Sequence, residues 1–394
     1  MRIVFYCGEQ ATANVVNYLT IGASGTVSAL ILASHGLSQL GYEVIVLNRS
    51  ESGIFGKTRY VHTVSPNEIS ERLREIGPVD IFIANGFASE VYKTHKIDAG
   101  KRAAWIHNFV DHRPYETAIR EGRLDYVICI SHNQLGTWWR SPVFDRVVQI
   151  YNCIDITAID SIPLTCVKDK KIMFIGAPRS SKGFHDALRI FDAFAKLNPG
   201  YTFYVAGAAS LHGGAGAISE NGVFEKDYEE SHLKKLLYQA DGKLRDDVVL
   251  LGKISRNEVL AHLGSAVVAI QNPGWESEPE VHSISALEAQ AMGVPVLSSF
   301  RGGQPEAVIP RRTGILLTNN NLYAAVRALE SLTRNSNLTR VMSENAKRHV
   351  REKFQIDIIA KEWDRCLGVM SRGESFTGNF MKAIRSKVRH KLRR

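Results

Sequence analysis

From end to end the chain alternates short apolar runs with longer stretches of helical period, the pattern of parallel β-α-β units. In the first half residues 3–5, 43–47, 81–84, 103–106, 126–130 and 147–151 are predicted strands, with a helix over 26–40 closed by Gly41-Tyr42. In the second half the expected strands are 171–175, 202–206, 248–251, 266–270 and 295–298, so the strand-helix series starts again. Between the halves, residues 155–170 carry Pro163 and the cluster Lys168-Asp-Lys-Lys and read as a linker. Residues 211–230, rich in Gly, Ser and acids, read as an inserted surface loop. The predicted fold class is α/β, two doubly wound Rossmann-like domains facing a cleft lined by the loops at strand C-terminal ends.

Length supports that division, since 394 residues exceed what one ordinary core organises. With 44% hydrophobic and 23% charged residues the composition is that of a globular protein of enzyme size. The chain opens on the strand-like Met-Arg-Ile-Val-Phe-Tyr-Cys and has no run of 18 apolar residues, so neither a secretory signal nor a membrane span is expected. Cys7, Cys129, Cys153, Cys166 and Cys366 are odd in number and lack metal-ligand spacing, which argues for structural thiols and a reducing, cytoplasmic compartment.

Charge adds a local feature. Of the net +9, seven charges come from Lys382, Arg385, Lys387, Arg389, Lys391, Arg393 and Arg394, in a tail without acids. Phe380, Ile384, Val388 and Leu392 recur every four residues, so a helix over 380–394 would lie on an anionic membrane surface, peripheral to its inner face. A disordered basic tail without a specific partner is the alternative. Nucleic acid is not expected, because no aromatic-interleaved groove accompanies the cations.

Candidate chemistry concentrates in loops after strands. In Gly274-Trp-Glu-Ser-Glu-Pro-Glu280-Val-His-Ser-Ile-Ser-Ala-Leu-Glu288-Ala-Gln-Ala-Met-Gly293-Val-Pro295, Ser283 is a plausible N-cap and Ile284, Leu287 and Ala291 share one helical face. Gly293 suits a left-handed C-cap and Pro295 forbids continuation, so a helix over 283–292 is predicted. Unpaired N–H groups at its start, around Ser283 and Ile284, would suit an anion. Glu280 would precede that end and Glu288 would lie about two turns along. Solvated surface carboxylates are the alternative, weaker for Glu288 because its neighbours are apolar.

Three further loops resemble ligand loops. Gly22-Ala-Ser-Gly25-Thr26 opens the first helix, and a plain turn explains it equally well. Ile106-His107-Asn108 follows a strand and could hydrogen-bond sugar hydroxyls, a satisfied structural histidine being the alternative. Gly176-Ala-Pro-Arg179-Ser-Ser-Lys182-Gly183 places two cations at a helix start, which favours phosphate.

Taken with Gly302-Gly303-Gln-Pro305-Glu306 and Thr313-Gly314-Ile-Leu-Leu, these blocks resemble the retaining GT-B glycosyltransferases that share a Glu-x7-Glu signature, matched here by Glu280 and Glu288. Tyr151-Asn152-Cys-Ile-Asp155 resembles the block ending the N-terminal domain, and Glu352-Lys-Phe354 the start of the last helix. The resemblance implies an N-terminal acceptor-side domain over 1–160, a nucleotide-sugar domain over 161–350, a helix over 351–372 crossing back, and a tail over 373–394. It implies transfer from a nucleotide-diphosphate sugar to a saccharide, lipid-linked or other glycoconjugate acceptor. Another GT-B enzyme, an epimerase or a phosphorylase, or a catalytically silent sugar-nucleotide-binding subunit, is the alternative. Arg179 and Lys182 would neutralise the diphosphate, Glu288 would bind the ribose, and Glu280 and His107 would contact the transferred sugar. Leu251 and Lys253 would frame the base, Gly176 would approach the phosphates, and Gly25 would approach the phosphate or the acceptor from the N-terminal side. No Asp-x-Asp occurs, so no metal and no other cofactor is implied. The sequence departs from the family at His282-Ser283, where Phe-Gly is usual, at Ala177, where the arginine usually stands, and at Ser24.

Overall fold

The computed structural model describes residues 1–8, 12–21, 23–162, 168–209, 217–274 and 277–376. The chain divides into two compact units: Met1–Val16, Ala29–Asn152 and Ile356–Arg394 form the first, Asn17–Ser28 and Cys153–Gln355 the second.

The first unit is built on an eight-stranded sheet. Its strands are β1 (Arg2–Tyr6), β2 (Glu43–Asn48), β3 (Gly53–Phe55), β4 (Thr58–His62), β5 (Ile81–Asn85), β6 (Lys101–Ile106), β7 (Tyr126–Cys129) and β8 (Val147–Gln149). The order is β3-β4-β2-β1-β5-β6-β7-β8, parallel except for the antiparallel β3-β4 pair. The order runs outward in both directions from β1 and β5, so the strand series reverses between them, next to Cys7 and Asn85. Runs such as Ile81–Asn85 are buried at every position because both sheet faces are covered, which is why they read as apolar blocks rather than alternating ones. The β3-β4 hairpin was not expected from the sequence. β3 has three residues at the sheet edge and β4 alternates buried with exposed positions, so neither makes an apolar run. The helix Gly25–Gln39 matches expectation to within one residue at each end. The helix Ile356–Ser371 packs Trp363 against Trp105 at 4.8 Å and Phe5 at 5.9 Å, and its Ala360 Cβ would lie 3.0 Å from a methyl group added at Gly36.

The second unit has a six-stranded, fully parallel sheet in the order β11-β10-β9-β12-β13-β14. Its strands are β9 (Lys171–Ile175), β10 (Thr202–Ala206), β11 (Val248–Gly252), β12 (Val268–Gln271), β13 (Val296–Ser299) and β14 (Gly314–Leu317). Here the strand order reverses between β9 and β12. Phe184 anchors the core, its ring 5.0 Å from Phe174, 5.5 Å from Phe224 and 6.4 Å from Phe203. Fully burying each such ring stabilises by roughly 1.5–3 kcal/mol, which fixes the start of the helix Phe184–Leu197 in this core. The surface-loop expectation for 211–230 is corrected over its second part. Phe224 is buried, and Lys226–Tyr228 opens a helical stretch through a π-turn at Glu229–Leu233, its Tyr228 hydroxyl accepting from the His185 backbone N–H at 3.0 Å.

The linker contains a short helix, Ile156–Asp160, capped by Asp155; Pro163 and Cys166 lie outside the described residues, as does the basic segment 380–394. Cys7, Cys129, Cys153 and Cys366 are free thiols, and burial pushes Cys7 up to about 11 and Cys153 and Cys366 up to about 12. Among the described residues no helix is long and apolar enough to cross a membrane.

Candidate functional site

In the second unit the loops after β9 and β12 leave the sheet on either side of the point where strand order reverses, the place where open α/β sheets take ligands. The β9 loop runs from Gly176 to Gly183. Gly176 has φ +134°, and its carbonyl lies so close to Gly207, after β10, that a Cβ there would sit 2.0 Å from it. Backbone alone fits at this crossing. Gly183 ends a tight turn at φ +63°, where a Cβ would meet Asn272 Oδ1 at 3.1 Å and Ser277 Oγ at 3.2 Å. The two loops are joined directly, the Glu278 N–H donating to the Ser181 carbonyl at 3.2 Å.

The β12 loop is held by its own polar groups. Asn272, at φ 42°, donates from its side-chain amide to the Glu278 carbonyl at 2.7 Å and accepts from Ser277 Oγ at 2.5 Å. Arg301 donates to the Ser277 carbonyl at 3.0 Å. The Glu280 carbonyl accepts from the Gly303 N–H at 2.7 Å, so the glycine pair after β13 fixes the Glu280 peptide. Its carboxylate Oε1 then lies 2.6 Å from Lys182 Nζ, which joins the two loops through opposite charges. Lys182 keeps 39% of its side-chain surface exposed.

Arg179 has a different place. Its guanidinium pairs with Glu225 at 3.2 Å and donates to the Ala209 carbonyl, leaving Lys182 as the β9-loop cation joined to Glu280. The predicted helix is Ile284–Ala291, with Ser283 as N-cap accepting from the Ala286 N–H at 3.2 Å. Ile284 lies in ordinary contact with Gly25, 3.7 Å from the position of an added Cβ. Leu251 is the penultimate residue of β11; the carbonyl of Gly252, which ends the strand, accepts from the Gly207 N–H at 2.8 Å, and Lys253 is exposed just beyond.

Glu288 is 6% exposed, and burial raises its carboxyl above the usual range against the opposing pull of Arg256. Arg256 Nη2 lies 2.5 Å from Glu288 Oε1, and its guanidinium stands 5.6 Å from the Tyr18 ring centroid. Arg256 was missed from sequence. A signal was present, since Ser255 and Glu258 form a capping box that makes Arg256 the first residue of the helix Arg256–Ser265. A cation there opposes the helix dipole by about 0.3–1 kcal/mol and calls for an acidic partner, but sequence spacing does not say which.

His107 belongs to the first unit, just after β6. Its ring lies tilted at 50° to Trp105 with centroids 4.8 Å apart, and its Nε2 meets Asn85 Oδ1 at 2.7 Å. Burial drives its pKa down to about 3, so it is a neutral imidazole that donates from Nε2. His282, at the family departure, is buried against Phe354 with ring centroids 5.1 Å apart.

Two doubly wound sheets, parallel but for the β3-β4 pair, are the sheets of the GT-B fold that the solved neighbours share. Residues 155–349, just under half of the chain, match the family described as glycosyl transferases group 1. An uncharacterized glycosyltransferase of Haemophilus influenzae is 23% identical over 67% of this chain and 68% of its own. A glycogen synthase of Mycobacterium tuberculosis is 21% identical over 71% of this chain and 63% of its own, so the chain spans about two thirds of the length of these relatives. Anabaena HepE, solved in complex with UDP-glucose, superposes with a TM-score of 0.68 over 93% of this chain and 99% of its own, at 14% identity.

Proposed function

We propose that the chain is a retaining glycosyltransferase that moves a sugar from a nucleotide-diphosphate sugar to a saccharide, lipid-linked or other glycoconjugate acceptor without a metal. The observation that carries this reading is the Lys182 to Glu280 pair, 2.6 Å long, at the strand-order reversal of the family's matched segment. Lys182 neutralises the donor diphosphate, and Arg179 contributes only after leaving Glu225. Glu280, released from Lys182 by the incoming phosphates, contacts the transferred sugar near its reacting carbon. Glu288 accepts from the ribose hydroxyls, the backbone around Leu251 and Lys253 frames the base, and Gly176, Gly25, Ser283 and Ile284 border the phosphates. The neutral His107 suits a sugar hydroxyl.

The acceptor oxygen bonds to the anomeric carbon on the leaving-group face while the bond from that carbon to the phosphate oxygen breaks. The departing diphosphate oxygen takes the acceptor proton. No side chain need act as nucleophile, so the protein's contribution is positioning and charge stabilisation. The solved complex of HepE with UDP-glucose and the relative named glycogen synthase support a sugar nucleotide as donor. A panel of UDP-, GDP- and ADP-sugars with saccharide acceptors tests the reading: one donor gives nucleotide release and a glycoside, and Lys182→Ala or Glu288→Ala lowers turnover well over tenfold. Unchanged turnover in both variants would overturn the site, and free epimerised donor or sugar phosphate without acceptor would replace transfer by epimerase or phosphorylase chemistry. Binding without turnover over a wide panel would make the chain a silent subunit. Liposome co-sedimentation with and without residues 380–394 tests the membrane role of the basic segment, equal binding ruling it out.

A further inference from the structure

Glu288 and Arg256 form a buried ion pair whose purpose the fold alone does not explain. Their side chains are 8% and 10% exposed and meet at 2.5 Å. Apolar residues of equal volume usually serve stability as well as such a pair does, so its presence points to a use for the charge. The pair also sets a cation in the first turn of a helix, against the dipole. The segment bearing Tyr18 is drawn to the same place, since the Asn257 N–H donates to the Leu19 carbonyl at 3.0 Å.

We infer that Arg256 is a positioning residue for the donor nucleotide: by engaging Oε1 of Glu288 it keeps that side chain a carboxylate, whose remaining lone pairs accept from both hydroxyls of a ribose. The inference rests on the donor-site reading of Glu288. A protonated acid in the same place would be a donor at one oxygen and could accept from only one hydroxyl well. The groups that act on this cluster are Tyr18, Cys153, Asp155 and Arg256. Asp155 is committed to capping Ile156–Asp160, its Oδ1 accepting from the Ala158 N–H at 3.0 Å, and burial holds the Tyr18 hydroxyl and the Cys153 thiol neutral. Among these groups Arg256 is therefore the cation that stabilises the Glu288 anion. Burial raises Glu288 even with Arg256 present, so removing the guanidinium raises it further and shifts the side chain toward its neutral form.

The test compares calorimetric binding of the preferred nucleoside diphosphate with that of its 2′,3′-dideoxy analogue, so that phosphate titration and unrelated weakening cancel in the ratio. Wild type favours the ribonucleotide about tenfold or more, the scale of hydrogen bonds to a charged acceptor. Arg256→Met loses that preference at pH 7 and regains it as pH rises and Glu288 ionises, while binding of the dideoxy analogue stays within about threefold. Arg256→Lys keeps the preference. If Arg256→Met does not fold, Glu288→Gln, an uncharged isostere, carries the test and lacks the preference at every pH. Equal weakening of both nucleotides in Arg256→Met, or a full preference retained in Glu288→Gln, overturns the inference. Retention of the preference in Glu288→Ala instead removes the donor-site reading beneath it.

Discussion

Gly302→Ala separates backbone geometry from side-chain chemistry at the centre of the site. Gly302 has φ +57°, and an added Cβ would stand 2.2 Å from the Glu280 carbonyl oxygen and 3.0 Å from Pro279 Cβ. The left-handed backbone alone costs an L-residue about 1–2 kcal/mol. Restoring an ordinary contact of 3.4 Å requires a shift of more than about 1 Å, and the atom that must give is the Glu280 peptide. Overpacking of that kind costs about 1–3 kcal/mol more, so the melting temperature should fall on the order of 10 °C. Because Glu280 is the partner of Lys182, the displacement reaches the proposed donor site, where misplacement by about 1 Å costs about 100-fold in turnover. Gly41→Ala is the control: φ is +92° and nothing lies within 4 Å of the new Cβ, so it bears the backbone cost and leaves turnover at the wild-type level. Nucleotide release and thermal melts on both variants decide the matter. Turnover within threefold of wild type in Gly302→Ala would refute the link between this glycine, the Glu280 peptide and the reaction.

Burial holds His107 near a pKa of about 3 and His349 near about 4, against 6.5 in an unfolded chain, so below pH 6.5 the unfolded state binds protons that the folded state refuses. Stability therefore falls as pH drops, and His107→Gln should remove about 2 kcal/mol of the loss seen in urea titrations between about pH 7.5 and about pH 5. An unchanged slope would mean that His107 titrates normally. Trp363→Ala empties the space beside Trp105 and Phe5 and should cost about 3–5 kcal/mol in the first unit, read from its urea midpoint; a loss under about 1 kcal/mol would contradict its central place in that core. Arg179→Ala should reduce turnover less than Lys182→Ala, because Arg179 starts from its pair with Glu225; the reverse order would exchange their roles.

The α/β class and most strands were legible because buried parallel strands are apolar at every position, and β9 and β10 end where the apolar runs end. The β3-β4 hairpin was not, since short edge strands lack such runs. Phe224 and Tyr228 were hidden within a Gly- and acid-rich stretch whose composition suggests a loop, although both pack into the core. The Ser283 cap and the helix after it followed from local rules, because capping is a matter of neighbouring residues. The pairings were beyond the sequence. That Lys182 meets Glu280, that Arg179 turns to Glu225, and that Glu288 is answered by Arg256 depend on which strands are neighbours in the sheet, and residue order does not carry that.

The measurement closest to the central claim follows the anomeric proton by time-resolved NMR during transfer from the best donor in the panel, with wild type beside Lys182→Ala. Retaining transfer at this site gives the glycoside in the donor's anomeric configuration together with free nucleoside diphosphate, with the variant slower by well over tenfold. An inverted product, or transfer at the wild-type rate without Lys182, would contradict it.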